Sequence, residues 1–227
     1  MEHLSSNHPN FKNANEAFEF YYDYINNHGI EIGNTKAIFN EGFYILNPMD
    51  HEIRSDFRKW KNDYAELEWQ WYLKGDPNAD KISSYAKIWK KHMDENGNVN
   101  SNYGFYFYYN NQLNNIIDKL KSDNNSRQAW LTIYDGKQIE KSLTTNNGYS
   151  TDTPCTLNVG FNIINGKLNM VVLMRSNDLW YGFCNDQFCF SRLMGMVAHA
   201  LNIELGYYFH WVQNFHLYKN KLHARMD

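Results

Sequence analysis

Residues 155–175 read CTLNVGFNIINGKLNMVVLMR, two strongly apolar runs separated by Asn165-Gly166. A two-residue hairpin turn needs positive φ at both central positions, and Asn-Gly adopts it at the least steric cost. The stretch therefore predicts two antiparallel strands, with Cys155 and Arg175 at their open end. Downstream, SNDLWYGFCND leads to a last helix from about residue 187 to residue 201, and GYYFHWVQNFHLY then reads as a strand. Upstream, RQAWLTIYD reads as a strand, and the polar stretch 136–153 after it is a loop that could line a site.

Working back towards the start, a short amphipathic helix carries Leu113, Ile116, Ile117 and Leu120, preceded by a loop-rich stretch over residues 75–104. The best-defined helix comes before it, since Ile53, Phe57, Trp60, Tyr64, Leu67 and Trp71 recur at alternating spacings of four and three until Gly75 stops it. Residues 30–48 read as extended and end at Pro48. A first helix over residues 13–29 carries Ala17, Phe20, Tyr21, Tyr24 and Ile25 and closes on Gly29. This mixed order fits α+β better than a regular βαβ alternation.

The chain has 227 residues, 43% hydrophobic and 17% aromatic, which is ample for a core and lies within the range of one domain. We expect a single domain over residues 1–227, with residues 1–12 a flexible tail. A net charge of −3 excludes a dedicated nucleic-acid surface, which would need a field of lysine and arginine. No apolar run approaches the roughly 18 residues of a membrane span, and MEHLSSNHPN lacks the regions of a signal peptide, so the expected place is the cytoplasm (a host's, if phage-encoded). Three cysteines are an odd number for a disulfide framework. The C-x4-C of Cys184 and Cys189 lacks the further ligands of a zinc site, so no metal is expected.

Several short motifs occur in one order along the chain. Glu68, Trp71, Tyr72, Leu73, Gly75, Asp76 and Asn78 form ExxWYLxGDxN. There follow Ile88-Trp89, DENG from Asp94 to Gly97, Tyr103-Gly104, Ser126-Arg127, Pro154-Cys155, the RSxD of Arg175, Ser176 and Asp178, and the HxY of His216 and Tyr218. Together, over roughly residues 66–218, they resemble the thymidylate synthase family. The resemblance implies the thymidylate synthase fold, a mixed β-sheet flanked by helices, and a homodimer formed through the sheet.

It also implies roles. Cys155 would be the nucleophile that adds to C6 of a pyrimidine nucleotide, making C5 carbanion-like towards a one-carbon unit. Taken alone it reads rather as a small buried hydrophobe at a strand end. Arg175, Ser176 and, from the partner subunit, Arg127 would hold the 5′-phosphate, since guanidinium forks suit its geometry; otherwise the arginines are ordinary ion-pair partners. Glu68, with Tyr64, Trp71 and Tyr72 on its helix face, either snorkels to water or has a raised pKa suited to moving protons at the pyrimidine, assisted by Tyr103. Asp178 resembles the family's folate-contacting, catalytic aspartate and Trp89 a wall for the cofactor, 5,10-methylenetetrahydrofolate. His216 and Tyr218 alternate along a strand and face one way, which would bring both to a sugar hydroxyl.

The departures from the family are specific. Asp186 stands where thymidylate synthases have an asparagine that accepts from uracil N3–H and donates to O4. A carboxylate would oppose O4 and welcome the 4-amino group of cytosine, pointing to dCMP; a helix N-cap is the other role open to it. Thr156 follows the nucleophile in place of histidine, and MRSND and GFxND are similar to the phage deoxycytidylate hydroxymethylases, a branch of that family. The chain stops nine residues after Tyr218, short of the family's closing tail, which implies water access and a hydroxymethyl product. Gln128 replaces a second arginine, Asn214 an aspartate, and Lys36 would have to supply a phosphate contact normally made by an arginine. Thymidylate synthesis, hydroxymethylation of dUMP and an inactive nucleotide-binding relative remain open.

Overall fold

The computed structural model describes residues 7–135 and 152–225. Its central feature is the expected hairpin: β5 (Thr156–Ile164) and β6 (Lys167–Met174) pair antiparallel, with Asn165 and Gly166 at φ of 52° and 75° in the turn. The pairing keeps one register from Ile164–Lys167 to Asn158–Leu173. A bulge then brings Thr156 opposite Met174. The extra residue on β5 displaces the pairing at the open end by one place. Cys155 therefore lies across from Arg175 rather than Ser176, and the Arg175 N–H donates to the Cys155 carbonyl at 2.9 Å.

The eight-stranded mixed sheet has the spatial order β1 (Asn10–Phe11), β3 (Thr35–Ile45), β8 (Glu204–Tyr218), β6, β5, β4 (Trp130–Thr132), with β2 (Ile30–Ile32) beside β3 and β7 (Asn177–Asp178) beside β8. Strands β6 and β8 are parallel, so the chain must cross over between them. It does so through β7, a π turn at Leu179–Phe183 and α7 (Cys184–Leu201). Phe190, Leu193, Met194 and Val197 of α7 are fully buried, as are Val172, Met174, Tyr208, His210 and Val212 on the inner sheet face. The outer face carries Val171, Leu173, Phe209 and Trp211, adjacent across β6 and β8 and only half-buried.

Several sequence expectations shift. Asn10–Phe11 pairs in parallel with Tyr44 and Ile45, so the end of the expected tail of residues 1–12 is a strand. In α1 (Ala14–His28), capped by the Asn13 side chain, Phe18 and Tyr22 are buried while Phe20 and Tyr24 are 44% and 38% exposed. Aromatic residues nearly all round this helix leave its inward face undetermined by periodicity alone. Helix α2 runs only from Asn62 to Lys74, ending at Gly75 with φ 62° as expected, and residues 51–61 are not helical. Long-range bonds hold that segment instead: Arg58 Nε–H donates to the Trp180 carbonyl and Trp60 Nε1–H to Asn185 Oδ1, both at 2.9 Å. The loop-rich stretch holds single turns, α3 (Asp80–Ser83) and α4 (Trp89–His92), and leads to α5 (Tyr103–Tyr108). Helix α6 (Gln112–Ser122) buries Leu113, Ile116 and Leu120. The greater part of the expected loop, residues 136–151, lies outside the described residues. No helix among the described residues is long and apolar enough to cross a membrane.

Helices α2 and α5 meet closely at Gly104, where an added Cβ would run into the backbone of Tyr72, including its carbonyl oxygen. Gly104→Ala should therefore lower stability by about 3 kcal/mol or more, because the colliding group is main chain and cannot step aside. Gly195→Ala in α7, which meets only the Met49 side chain at 3.5 Å, should change it by less than about 1 kcal/mol. Urea unfolding of both variants checks the contrast.

Candidate active site

At the mouth of the β5–β6 hairpin, Arg175 serves three acceptors. Its Nε–H donates to the Pro154 carbonyl at 2.9 Å, one Nη donates to the Thr153 carbonyl at 2.7 Å, and the same nitrogen lies 3.7 Å from Cys155 Sγ. The guanidinium favours the thiolate. Burial acts against it and dominates, and Asp186, Asp152 and Asp178 add repulsion, so the Cys155 thiol is pushed up to about 11. Cys155 is held as a thiol beside a fixed cation.

Glu68 reaches the same place from α2. It is buried, accepts the Tyr64 hydroxyl at 3.2 Å, and has its carboxyl raised to about 8 by burial and by the charge of Asp186. The Tyr64 hydrogen bond acts against that rise. Trp89 Nε1–H donates to the same Tyr64 hydroxyl at 2.8 Å, forming a chain from Trp89 through Tyr64 to Glu68, and its ring lies edge-on to Trp71 at 5.1 Å. Tyr103 is buried, stacked on Phe190 at 5.7 Å, and within electrostatic reach of Asp186 and Cys155, which with burial keep its phenol protonated. Its segment is pinned where Asp152 accepts the N–H and hydroxyl of Ser101, both at 2.6 Å.

Asp186 is not a helix cap. Helix α7 begins at Cys184, two residues before it, and the Asp186 carboxylate accepts from Asn177 Nδ2 at 2.7 Å. Burial raises its pKa to about 7, with the Asn177 bond opposing and Asp178 adding to the rise. The cap is Asp178 instead, whose carboxylate accepts the N–H groups of Trp180 (3.2 Å) and Tyr181 (2.7 Å). Burial raises the Asp178 pKa too, against the pull of Tyr181 and His216. His216, opposite Asp178 across β7 and β8, shares a 3.0 Å hydrogen bond with Asn214 Oδ1, and its ring lies 5.5 Å from that of Tyr218. Tyr218 in turn feels the charges of Asp178 and Cys155.

Eight sequence-derived residues are thus gathered: Cys155, Arg175, Glu68, Tyr103, Asp178, Asp186, His216 and Tyr218. Ser176 follows Arg175 half-buried. Arg127 is exposed, in the loop before β4, on a cleft of about 300 Å³ that it shares with Trp130, Gly160 and Val171. Gly160 and Val171 are cross-strand neighbours of the outer sheet face. Lys36 donates from its ammonium to the Asn26 carbonyl at the end of α1. Gln128 is exposed. Cys184 and Cys189 are buried in α7, their Sγ atoms near the Leu179 and Ala65 carbonyls. Sequence reasoning assigned no role to Asn177, Ser101 or Asp152. Alternation with Asp178 in β7 was the available signal for Asn177; the long-range pair of Ser101 and Asp152 had none.

Residues 56–226 match the thymidylate synthase family. The chain belongs to that family. Among curated relatives, it is 30% identical over 190 residues to the deoxyuridylate hydroxymethyltransferase of Bacillus phage SP01, covering 76% of this chain and 48% of that one. It is 29% identical over 195 residues to the protein of the same name in Delftia phage PhiW-14, covering 82% and 54%. The thymidylate synthase of Bacillus atrophaeus is 26% identical over 168 residues, 70% of each chain. The chain thus spans about half the length of the two phage relatives.

The carboxyl cluster gives this thymidylate synthase relative a defined pH response. Glu68 rises from 4.5 to about 8 and Asp186 from 3.8 to about 7 on folding, so the folded state holds protons that the unfolded chain has released. Their contribution to stability is full below about pH 4 and is lost as pH rises through the folded values near 7 and 8. Glu68→Gln or Asp186→Asn should flatten the fall in unfolding midpoint between pH 5 and 8, and each should raise stability at pH 8 by on the order of 1–3 kcal/mol. Thermal melts of the three proteins across that range measure it.

Proposed function

We propose that the protein is a deoxycytidylate 5-hydroxymethyltransferase, converting dCMP and 5,10-methylenetetrahydrofolate to 5-hydroxymethyl-dCMP and tetrahydrofolate. The observation that carries the reading is Asp186, set among Cys155, Glu68 and Tyr103 rather than at a helix cap. As an ionised carboxylate it only accepts, opposing O4 of uracil and welcoming the cytosine amino group. As an acid, populated near neutrality because its pKa is about 7, it also offers a donor to cytosine N3. A mismatched polar contact in a closed site costs up to roughly 10⁴ in selectivity. Hydroxymethylation, rather than methylation, is supported by the names of the two phage relatives.

Cys155 Sγ would bond to C6 of the ring, delivering an electron pair to C5. Protonation of Asp186 removes a negative charge facing the sulfur and so eases loss of the thiol proton. Glu68, protonated at neutrality and held by Tyr64, gives and retrieves a proton at the ring, and Tyr103 assists removal of the C5 hydrogen. Arg175, Ser176 and the partner subunit's Arg127 hold the 5′-phosphate, and His216 and Tyr218 the sugar. With the one-carbon unit bonded to C5 in place of its hydrogen and tetrahydrofolate released, water would add to the exocyclic carbon and the Cys155 sulfur would leave C6.

The folate fits the donor set. The half-buried Trp89 ring, braced by Trp71, offers a flat apolar wall, and the Asp178 carboxylate, already oriented by two N–H groups, offers an acceptor for amino protons. When bound, it supplies a one-carbon unit at the oxidation level of formaldehyde. Hydroxymethylation of dUMP is the second reading, favoured by the relatives' printed names.

Incubation with methylenetetrahydrofolate and 5-tritiated dCMP or dUMP, with product mass, tests both. We expect tritium release from dCMP and a hydroxymethylated product, no release with Cys155→Ser, and a shift towards dUMP with Asp186→Asn. Release from dUMP alone would sink the cytosine assignment, and no release from either would favour a binding protein.

We infer also a homodimer through the half-buried outer face, because Arg127 opens onto that face. Cys155→Ser and Arg127→Ala proteins, each weak alone, should regain activity when refolded together, since one hybrid site would hold both residues. Mixtures no more active than their parents would argue against a shared site.

A further inference from the structure

The cytosine reading, on which this inference rests, meets a difficulty: a carboxylic acid can carry its proton on either oxygen. With the proton on one it complements cytosine, and on the other it complements uracil, so acidity alone does not discriminate. Something must make the two oxygens unequal.

We propose that Asn177 does this, acting as a positioning residue that holds Asp186 Oδ2 as an acceptor so that the proton sits on Oδ1 and the carboxyl presents one fixed donor–acceptor order to the base. Three observations carry it. Asn177 Nδ2 donates to Oδ2 at 2.7 Å. An oxygen that accepts an N–H is the poorer place for a proton, since the hydroxyl oxygen of an acid is a weaker acceptor than its carbonyl. The residue itself is placed, because Asn177 is buried in the two-residue strand β7, paired with Phe215 of β8, beside Asp178, which caps the π turn.

Room for the contact comes from Gly182. A Cβ at that position would lie 2.7 Å from Asn177 Nδ2 and 3.3 Å from Asp186 Oδ2. The φ of Gly182 is not in the left-handed region, so the backbone permits alanine, and its methyl would have to displace the Asn177–Asp186 pair.

The test compares kcat/KM for dCMP and dUMP in the wild-type protein, Asn177→Ala and Gly182→Ala, and repeats Asn177→Ala in an Asp186→Asn background. Asn177→Ala should lower the dCMP preference about tenfold or more, the worth of a hydrogen bond to an ionisable group. Gly182→Ala, which keeps both side chains and displaces them, should lower it in the same direction. In the Asp186→Asn background the loss of Asn177 should leave the ratio unchanged. A general loss of packing would reduce turnover of both nucleotides alike, in either background. If the wild type prefers dCMP and that preference survives both single substitutions, this inference fails alone. A wild type that prefers dUMP overturns it together with the cytosine assignment.

Discussion

The pairing of β5 with β6 sets the position of almost everything else in the site. Its register is fixed at one end by the Asn165-Gly166 turn and changed at the other by a single extra residue between Thr156 and Asn158. A slip of one place in a strand exchanges its faces, so this bulge decides which side chain meets the sulfur. With it, Arg175 stands across from Cys155 and spends two nitrogens on the carbonyls of residues 153 and 154, fixing the backbone that leads into Cys155 and holding a positive charge beside its sulfur. The next residues, Ser176 to Asp178, are then carried along β8 towards His216.

Electrostatically the site is dominated by burial of acids. Glu68, Asp178 and Asp186 all have raised pKa values because protein replaces water around them, and the charge of Asp186 weighs on Glu68 as that of Asp178 weighs on Asp186. Cys155 feels the same field, and one guanidinium does not overcome it. The protonation states of these groups are therefore linked: neutralising Asp186 or Asp178 makes the sulfur easier to ionise.

Much of this was legible in the residues. The hairpin, the Gly75 stop of α2, the α6 face and the last helix and strand follow from turn chemistry and periodicity. The raised pKa expected for Glu68 is found, but its causes are burial and the charge of Asp186, and the Tyr64 hydroxyl, four residues away on the helix, acts against it. Long-range bonds overrode local pattern elsewhere. Residues 51–61 have helical spacing yet bond to residues 180 and 185, and α7 starts three residues earlier than its spacing suggested because Asp178 caps the turn before it. Asp186 then lost its reading as a cap for a reason that no local rule contains. The Asn177–Asp186 contact joins residues nine apart across an irregular turn, a geometry outside both the helical and the strand repeat.

The two residues of β7 divide their tasks by direction, Asn177 to Asp186 and Asp178 to the backbone of the π turn. From Arg175 to Asp186 the chain therefore works as a measured length. Of these twelve residues Tyr181 alone is exposed, and inserting or deleting a single residue there would exchange those directions and separate the carboxyl from the thiol. In descent and in engineering alike, this segment should remain constant in length.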